Sequence, residues 1–418
     1  MKNINWIKFI AVSLVAVLLA ITTFSCSDHG PDNPENSEDH WELKQYFFSY
    51  RLTSYIGKRL WEAETTNNKL ENQNLVISPV GVTMTLSMLA NGVEGKAKEE
   101  LENLLLPVDS ELEVYSTLED LNRFNKEFAE ELQGLDFKSK TIVKNSLWCA
   151  EDINLNADFG KTISKYYGKM YRENDISSAF NEWCSAESSG MIADILSEKN
   201  PASLVLSNLF SFSSSPARQF YKIDDGQFVN ADGEEKKVEM LSTYLMEVPW
   251  TRTTTAEIIK VSLGEGGRET GLQLILAIPN EGADKNLSNV FDGEYIEGTP
   301  PYSAPYYNVA LTIPSFTVES RFDIRDCGEA LGIGSICDPS LKLPRMISSG
   351  DARLDGLIQA SKIEFNESGF NSTQVSAAEM SRGGELIGGS KQISINGPFA
   401  FQITDDKMIL MLGRIFNL

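Results

Sequence analysis

Helical and strand-like patterns occupy different parts of this chain, and this separation constrains its fold more than any other feature. In the first third, apolar residues recur at helical spacing in residues 79–91, directly after Ser78, and again in residues 96–105. In the second half, apolar runs of strand length dominate, as in residues 256–261 and 272–278. Helices gathered early and strands gathered later predict an α+β fold with large antiparallel sheets.

Further short apolar runs have the length of single strands and are bounded by turn residues. Expected strands are residues 74–77, 142–148, 203–210, 228–229 and 237–240, and helical spacing returns between residues 180 and 196. Near the C-terminus, residues 399–403 and 408–412 flank Asp405 and Asp406. This arrangement predicts a C-terminal β-hairpin.

The content of titratable residues excludes several classes of function. The chain has two histidines, His29 and His40, and both precede the first apolar pattern, so imidazole-based catalysis or metal binding is disfavoured. The 59 acidic residues could include a catalytic carboxylate pair, but no spacing defines one. The net charge of −22 opposes contact with phosphate backbones. We therefore expect no enzyme activity, metal, cofactor or nucleic-acid partner.

The N-terminus has the organisation of a targeting segment. Lys2 and Lys8 precede an apolar run over residues 9–21, which is shorter than a comfortable membrane span. Thr23 and the next residues form a processing site before Cys26. Residues 1–25 are therefore predicted to be a signal peptide.

Cys26 and the residues after it indicate a lipid anchor. A cysteine at this place resembles the bacterial lipobox, in which the cysteine is acylated and becomes the new N-terminus; the alternative is an ordinary signal peptide with Cys26 incidental. Residues 26–42 are acidic and lack apolar periodicity, which predicts a flexible tether. The tether is similar to those of Bacteroidetes surface lipoproteins. This resemblance implies an outer-membrane lipoprotein, exposed at the cell surface or extracellular, whose lipid anchor is its membrane contact.

Four more cysteines remain, namely Cys149, Cys184, Cys327 and Cys337. In an oxidising compartment they allow three full pairings, between which the sequence does not choose. Buried free thiols are the alternative. Cys327 and Cys337 are near enough in sequence to pair if the chain turns back between them, and all four are expected to be structural.

A series of motifs links residues 43–418 to one family. Residues 74–97 resemble the strand-to-helix signature of the serpins, and further serpin-like segments follow in the family's order. These segments are residues 180–183, 189–192, 204–208, 228–229, 238–241, 311–316, 330–333, 397–399 and 413–417. The resemblance implies a serpin domain over residues 43–418, with helices, three β-sheets, a metastable native state and an exposed reactive-centre loop at about residues 367–392.

The resemblance also implies a mechanism. In inhibitory serpins a protease cuts the loop, the loop inserts into the main sheet, and the attached protease is deformed. Inhibition is then a kinetic trap rather than tight equilibrium binding. The expected partner is an extracellular serine or cysteine protease, with trypsin-like enzymes among the candidates, and the chain is expected to be a monomer. Alternatives are a non-inhibitory serpin-fold surface binding protein and, on the anchor and tether alone, a glycan-capturing lipoprotein.

The predicted hinge of the loop comprises Glu367, Gly369, Phe370 and Ser372. Strand insertion requires the absence of proline and tolerable side chains at every second position, and both conditions are met. Phe370 and Ser372 would face inward and Asn371 outward. Phe370 is bulky where the family has threonine.

The scissile bond is predicted between Arg382 and Gly383. Counting forward from the hinge places the bond near Gly383, whereas counting back from the C-terminal motif places it near Ile387. Arg382 is the most distinctive recognition side chain in this interval. Met380, Leu386 and Ile387 are the alternatives, and a merely flexible surface loop is the simplest reading.

Four residues match the positions called the shutter, which govern how the main sheet of a serpin opens: Ser78, Gly81, Asn208 and Gln359. Gly81 stands where serpins usually have a second serine, and Gln359 aligns with the usual histidine. Glutamine can form hydrogen bonds as histidine does. The altered residues could therefore weaken inhibition, or Gln359 could compensate for the missing histidine.

Overall fold

The computed structural model of the 418-residue chain describes residues 44, 48, 52–66, 73–106, 116–133, 140–188, 196, 202–214, 217–265, 268–282, 287–291, 305–338, 340–349, 353–366, 389–404 and 408–418. The expected signal peptide, the tether with Cys26, and both histidines lie outside these residues.

Two of the predicted helices begin within one residue of their expected starts. The strand at residues 74–77 is followed by a helix from Pro79, and a second helix ends at Leu105, as expected. The helices are α1 (Thr53–Thr66), α2 (Pro79–Ala90), α3 (Gly95–Leu105), α4 (Leu118–Gln133), α5 (Ala157–Tyr166), α6 (Ile176–Glu187) and α7 (Gly328–Leu331). Among the helices in the described ranges, none combines the length and apolar character needed to cross a bilayer.

Strands dominate the rest of the chain, as predicted. The strands are β1 (Leu75–Ile77), β2 (Lys140–Ala150), β3 (Asn154–Leu155), β4 (Gly168–Glu173), β5 (Leu204–Ser214), β6 (Tyr221–Val229), β7 (Glu235–Arg252), β8 (Ala256–Glu265), β9 (Arg268–Pro279), β10 (Tyr306–Pro314), β11 (Phe316–Asp323), β12 (Ile347–Ser349), β13 (Gly356–Phe365), β14 (Ser390–Ser394), β15 (Phe399–Thr404) and β16 (Ile409–Ile415). The predicted strands at residues 228–229 and 237–240 are the ends of the much longer β6 and β7.

A five-stranded sheet has the order β11-β13-β5-β2-β4. Its two central neighbours, β13 and β5, run parallel through ten residue pairs, from Gly356 opposite Val205 to Phe365 opposite Ser214. β2 and β4 are also parallel, and so are β10 and β14 of the second sheet. The expectation of antiparallel sheets was therefore only partly correct. Parallel neighbours require long crossovers, and the chain forms most of the second sheet between β5 and β13.

A nine-stranded sheet has the order β1-β16-β15-β9-β8-β7-β10-β14, with β6 also paired to β7. The 18-residue β7 joins its two parts, because most of it pairs with β6 and β10 and its end at Trp250–Arg252 pairs with β8. The predicted C-terminal hairpin is confirmed as β15 and β16, although Asp405 and Asp406 lie outside the described residues. β3 and β12 form a third, two-stranded sheet.

Helix α2 lies inside the molecule and contacts strands of both large sheets. All twelve of its residues are buried, and it contacts β5 and β13 of the five-stranded sheet and β16 of the nine-stranded sheet. The hydroxyl groups of Thr83, Thr85 and Ser87 donate to carbonyl oxygens four residues earlier, so no buried hydroxyl of this group lacks a partner. A helix that is apolar on all sides is stable only when it is enclosed, as here.

The four cysteines of the described residues are free thiols: Cys149, Cys184 and Cys327 are buried and Cys337 is exposed. The chain turns back between Cys327 and Cys337, because Ile333 N donates to Gly328 O at 2.8 Å. The two cysteines are nevertheless not bonded to each other. Burial raises the pKa of Cys184 to about 12, which makes it an inert structural thiol.

Glu64 of α1 is a buried carboxyl group, only 3% exposed. The Cys327 thiol donates to Glu64 Oε1 at 2.7 Å. Burial raises the pKa of Glu64 above its ordinary value, and the charge of Asp326 adds to this effect, whereas the Cys327 hydrogen bond and Arg414 oppose it. A raised pKa means that the folded protein binds this proton more tightly than the unfolded chain does.

The stabilisation from protonated Glu64 should be present below the unfolded pKa and lost as pH rises through the raised folded pKa. Replacing Glu64 with glutamine should therefore increase the free energy of unfolding at neutral pH, with a smaller gain at acidic pH. Urea unfolding of both proteins at a series of pH values measures this difference. The exposed Glu62→Gln on the same helix is the control. A Glu64→Gln gain that does not vary with pH would contradict the prediction.

Candidate functional site

Most of the predicted reactive-centre loop lies outside the described residues. This applies to the hinge residues Glu367, Gly369, Phe370 and Ser372, to Arg382 and Gly383 of the predicted bond, and to the alternatives Met380, Leu386 and Ile387. The predicted loop extended to about residue 392. In the structure, Ser390 to Gln392 already belong to β14 and pair with β10, so the loop must end before Ser390. The segment between the two described ends is therefore 367–388.

The segment predicted to be the loop follows a central strand of the five-stranded sheet. β13 ends at Phe365 and lies between β11, which is antiparallel to it, and β5, which is parallel to it. In the described sheet, β13 and β5 are direct neighbours with no strand between them. The sheet is thus closed at the one central position where two parallel strands meet.

Ser78 occupies the start of α2 beneath this sheet. Its side chain accepts a hydrogen bond from Gly81 N at 3.1 Å and so caps the helix. Its backbone N–H donates to Gln359 Oε1 of β13 at 3.5 Å, and Gln359 Nε2 donates to Ser361 Oγ. Ser78, Gln359 and Ser361 are each fully buried, so these polar contacts are made away from water.

Three amide side chains lie side by side across the central strands. Asn145 of β2 pairs with Asn208 of β5, and Asn208 pairs with Gln359 of β13. Asn208 Nδ2 donates to Asn145 Oδ1 at 2.8 Å. We call Asn145, Asn208 and Gln359 the amide row. It places polar groups against the start of α2, in an otherwise apolar interior.

Gly81 accommodates the amide row. A Cβ at position 81 would overlap Asn208 Oδ1 and would lie 3.0 Å from Asn208 Cγ and 3.5 Å from Gln359 Nε2. A serine at this position would therefore collide with Asn208 as the row now stands. The missing side chain of Gly81 thus leaves room for Asn208 Oδ1.

The structure brings together all four residues that the family resemblance assigned to the shutter, namely Ser78, Gly81, Asn208 and Gln359. Their part in sheet opening stays a prediction. Sequence reasoning missed Asn145 and Ser361, which contact them. A signal was present, because Asn145 interrupts an otherwise strand-like run, and a polar residue in a buried strand requires a partner.

Replacing Gly81 with alanine should lower the free energy of unfolding by about 1–3 kcal/mol, the usual cost of overpacking a filled interior. Chemical denaturation measures the loss. Gly160→Ala is a matched control on a helix, since a Cβ there would lie 3.6 Å from Met170 Cε, an ordinary contact distance. Adding Asn208→Ala should recover part of the loss. If Gly81→Ala and Gly160→Ala have the same free energy of unfolding, the side chains of the amide row can shift without cost.

Comparison with known proteins agrees with this architecture. The family model described as Serpin (serine protease inhibitor) matches residues 58–418. Human neuroserpin is 22% identical over 375 residues, which cover 83% of this chain and 87% of that protein. The leukocyte elastase inhibitor of Xenopus tropicalis is 23% identical over 371 residues, which cover 82% of this chain and 92% of that protein.

A solved structure is similar throughout. The crystal structure of the thermophilic serpin Tengpin in the native state superposes with a TM-score of 0.69 at 20% identity, covering 94% of this chain and 96% of that one. The chain therefore belongs to the serpin family and has the serpin fold. Members of this family are protease inhibitors rather than enzymes, although some serpins are non-inhibitory.

Proposed function

We propose that this chain is a suicide inhibitor of extracellular serine or cysteine proteases, which acts by cleavage of the loop at residues 367–388 and insertion of the loop into the five-stranded sheet. The observation that carries the proposal is the parallel pairing of β13 with β5, with the loop directly following β13.

The geometry of this pairing favours insertion. A segment that turns back after Phe365 runs antiparallel to β13, and therefore also antiparallel to β5. Inserted between the two strands, it would replace one parallel ladder with two antiparallel ladders, which are slightly more stable per residue. Insertion of the loop as an extra strand would therefore give the sheet more hydrogen bonds than the closed form has. Cleavage would free the loop to supply that strand.

The ladder between β13 and β5 gives this opening a barrier. Separating β13 from β5 breaks the backbone ladder of ten residue pairs, and Ser78 N then loses or shifts its contact with Gln359 Oε1. Buried polar groups are costly without partners, so partial separation is unfavourable until an inserted strand provides new ones. We infer that this ladder and the contact between Ser78 and Gln359 keep the sheet closed until the loop is cut.

A second candidate is a non-inhibitory serpin-fold binding protein. Phe370 favours it, because an aromatic ring would have to enter the sheet early in insertion, where the family has threonine. The replacement of serine by Gly81 and of histidine by Gln359 favours it as well. In this case a protease would cut the loop and leave as in an ordinary cleavage.

Incubation of the purified protein with trypsin, pancreatic elastase and papain separates the candidates. The inhibitor should form a complex with at least one of them that survives boiling in SDS, together with a released C-terminal fragment. Sequencing of that fragment identifies the scissile bond. Clean cutting of the loop by every protease without such a complex would reject inhibition and favour the binding protein.

The proposal includes the location of the chain. A lipid on Cys26, followed by the acidic residues 27–42, would hold the inhibitor at the outer membrane and expose it to external proteases. Expression in a bacterium with a labelled fatty acid should give a labelled protein, and Cys26→Ser should remove the label. Labelling that persists in the variant would contradict the anchor.

A further inference from the structure

Exposed large apolar side chains are concentrated on one face of the nine-stranded sheet. Within the described residues eight such side chains are exposed, and six of them lie on β6, β7 and β10. Five of the six define what we call the tyrosine–methionine face: Tyr221, Ile223, Tyr244, Met246 and Tyr306. A cluster of exposed apolar residues on a soluble protein marks an interaction surface.

The strand register puts these side chains on the same side of the sheet. Tyr244 and Met246 are two residues apart on β7, so both point outward. Tyr221 of β6 lies opposite Ser242, which is two residues before Tyr244. Tyr244 and Met246 are each 55% exposed and Tyr306 is 54% exposed, which leaves about half of each side chain available to a partner.

The positions between these side chains are small or uncharged. Ala310 lies opposite Tyr244, Thr312 lies opposite Ser242, and Gln392 of β14 lies opposite Ala310. Glu247, in the bulge next to Met246, borders the face with a carboxylate. In a chain with a net charge of −22, such a surface differs from its surroundings and suits an uncharged, apolar partner.

The loop ends beside this face. Asn308 N donates to the carbonyl oxygen of Gly389 at 3.1 Å, and Asn308 Oδ1 accepts from Glu247 N at 3.2 Å. Gly389 is the first described residue after the loop. Its hydrogen-bond partner, Asn308, is two residues from Tyr306. Asn308 is also hydrogen-bonded to Glu247, the residue after Met246.

The remaining chain length restricts where a bound protease can lie. Met380 is the candidate cleavage residue farthest from Gly389, nine residues before it. At no more than ~3.5 Å per residue, these residues span at most about 32 Å. A protease domain of ~230 residues is roughly 45 Å across. A protease holding any of the candidate bonds in its active site is therefore near enough to contact the neighbourhood of Gly389.

We propose that the tyrosine–methionine face is a secondary docking surface for the body of the target protease, which it contacts through uncharged apolar residues beside the protease's substrate cleft. This inference rests on the proposed inhibitory function. The loop and the face together would bind the protease at two points, so the second contact forms at high effective concentration once the first exists. The face would thereby select among proteases that accept the same loop sequence.

The test compares two sets of substitutions in the full chain. The triple variant carries Tyr244→Thr, Met246→Thr and Tyr306→Thr. These substitutions remove the large apolar side chains, and threonine is a residue that favours strands. Tyr55→Gln with Met170→Thr is the matched control, because these side chains are exposed apolar residues elsewhere, at 47% and 36%. The second-order rate constant of complex formation is measured with whichever of trypsin, elastase or papain reacts with the wild type.

The triple variant should react at least about tenfold more slowly and the control at the wild-type rate. Equal rates for the triple variant and the wild type would overturn the docking surface and leave the inhibitory function intact. If the triple variant does not fold, Tyr244→Thr and Tyr306→Thr are compared singly on the same criterion.

If the wild type forms no stable complex with any protease, the proposed function fails and the surface is tested by binding alone. The probes are then the same proteases with the catalytic serine or cysteine replaced by alanine. Weaker binding of the triple variant would support the surface, and equal or absent binding would overturn it. Sedimentation equilibrium completes the test, since a wild-type dimer that the triple variant cannot form would assign the face to self-association instead.

Discussion

Cleavage of the loop should raise the melting temperature of this protein by more than about 10 °C. β13 and β5 share ten residue pairs, so a strand inserted between them would add about ten hydrogen bonds, at ~1 kcal/mol each. With an unfolding entropy of ~2.1 cal/mol/K per residue over about 360 residues, 10 kcal/mol corresponds to roughly 13 °C. Limited proteolysis followed by a thermal melt of the nicked protein measures the shift.

Two neighbouring substitutions make this result specific to insertion. Ser372→Arg would place a charge on the inward side of the inserted strand, whereas Asn371→Arg would place the same charge on the outward side. After cleavage, the Ser372→Arg protein should melt near the temperature of the intact chain, and Asn371→Arg should show the full increase. If the cleaved wild type shows no increase, the sheet does not accept the loop and the inhibitory mechanism is wrong.

Replacing Arg382 with alanine should slow the reaction with trypsin by at least about a thousandfold. Trypsin recognises an arginine or lysine side chain through a buried carboxylate, and an enzyme pocket left with an unpaired polar group discriminates by factors of ~10⁴–10⁵. The second-order rate constant of inhibition measures the effect. The melting temperature of the intact protein should not change, because the substitution lies in the loop.

The controls for Arg382 separate the candidate bonds. Arg382→Lys should retain most of the rate, since trypsin also accepts lysine. Met380→Ala, Leu386→Ala and Ile387→Ala should leave the trypsin rate within a fewfold of the wild type. If one of these three substitutions abolishes the reaction with elastase or papain while Arg382→Ala does not, that protease cuts at the substituted residue.

Local features of the fold could be predicted from the sequence because their causes are local. The start of α2 depends on the Ser78 cap and on proline at the first helical position, and both can be recognised within a few residues. The C-terminal hairpin was predicted for the same reason, from two apolar runs around a short turn. Strand lengths were less predictable, because the ends of β6 and β7 depend on their pairing with each other.

The amide row shows what the sequence could not provide. The resemblance to the serpins named Asn208 and Gln359, but Asn145 joins them only through the register of β2 with β5. A register is set by the whole sheet and not by the strand itself. In the same way, the close approach of Asn208 Oδ1 to Gly81 could be found only in the structure.

The parallel pairing of β13 with β5 also has a consequence for how the chain must fold. Gln359 and Asn208 are about 150 residues apart, and contacts between distant residues form slowly. The loop, by contrast, follows β13 directly, and a hairpin between them could close in ~1–10 μs. The pairing of the loop with β13 can therefore form before the pairing of β13 with β5. A loop that is a poor strand former would delay this local pairing and so protect the yield of the closed form during folding.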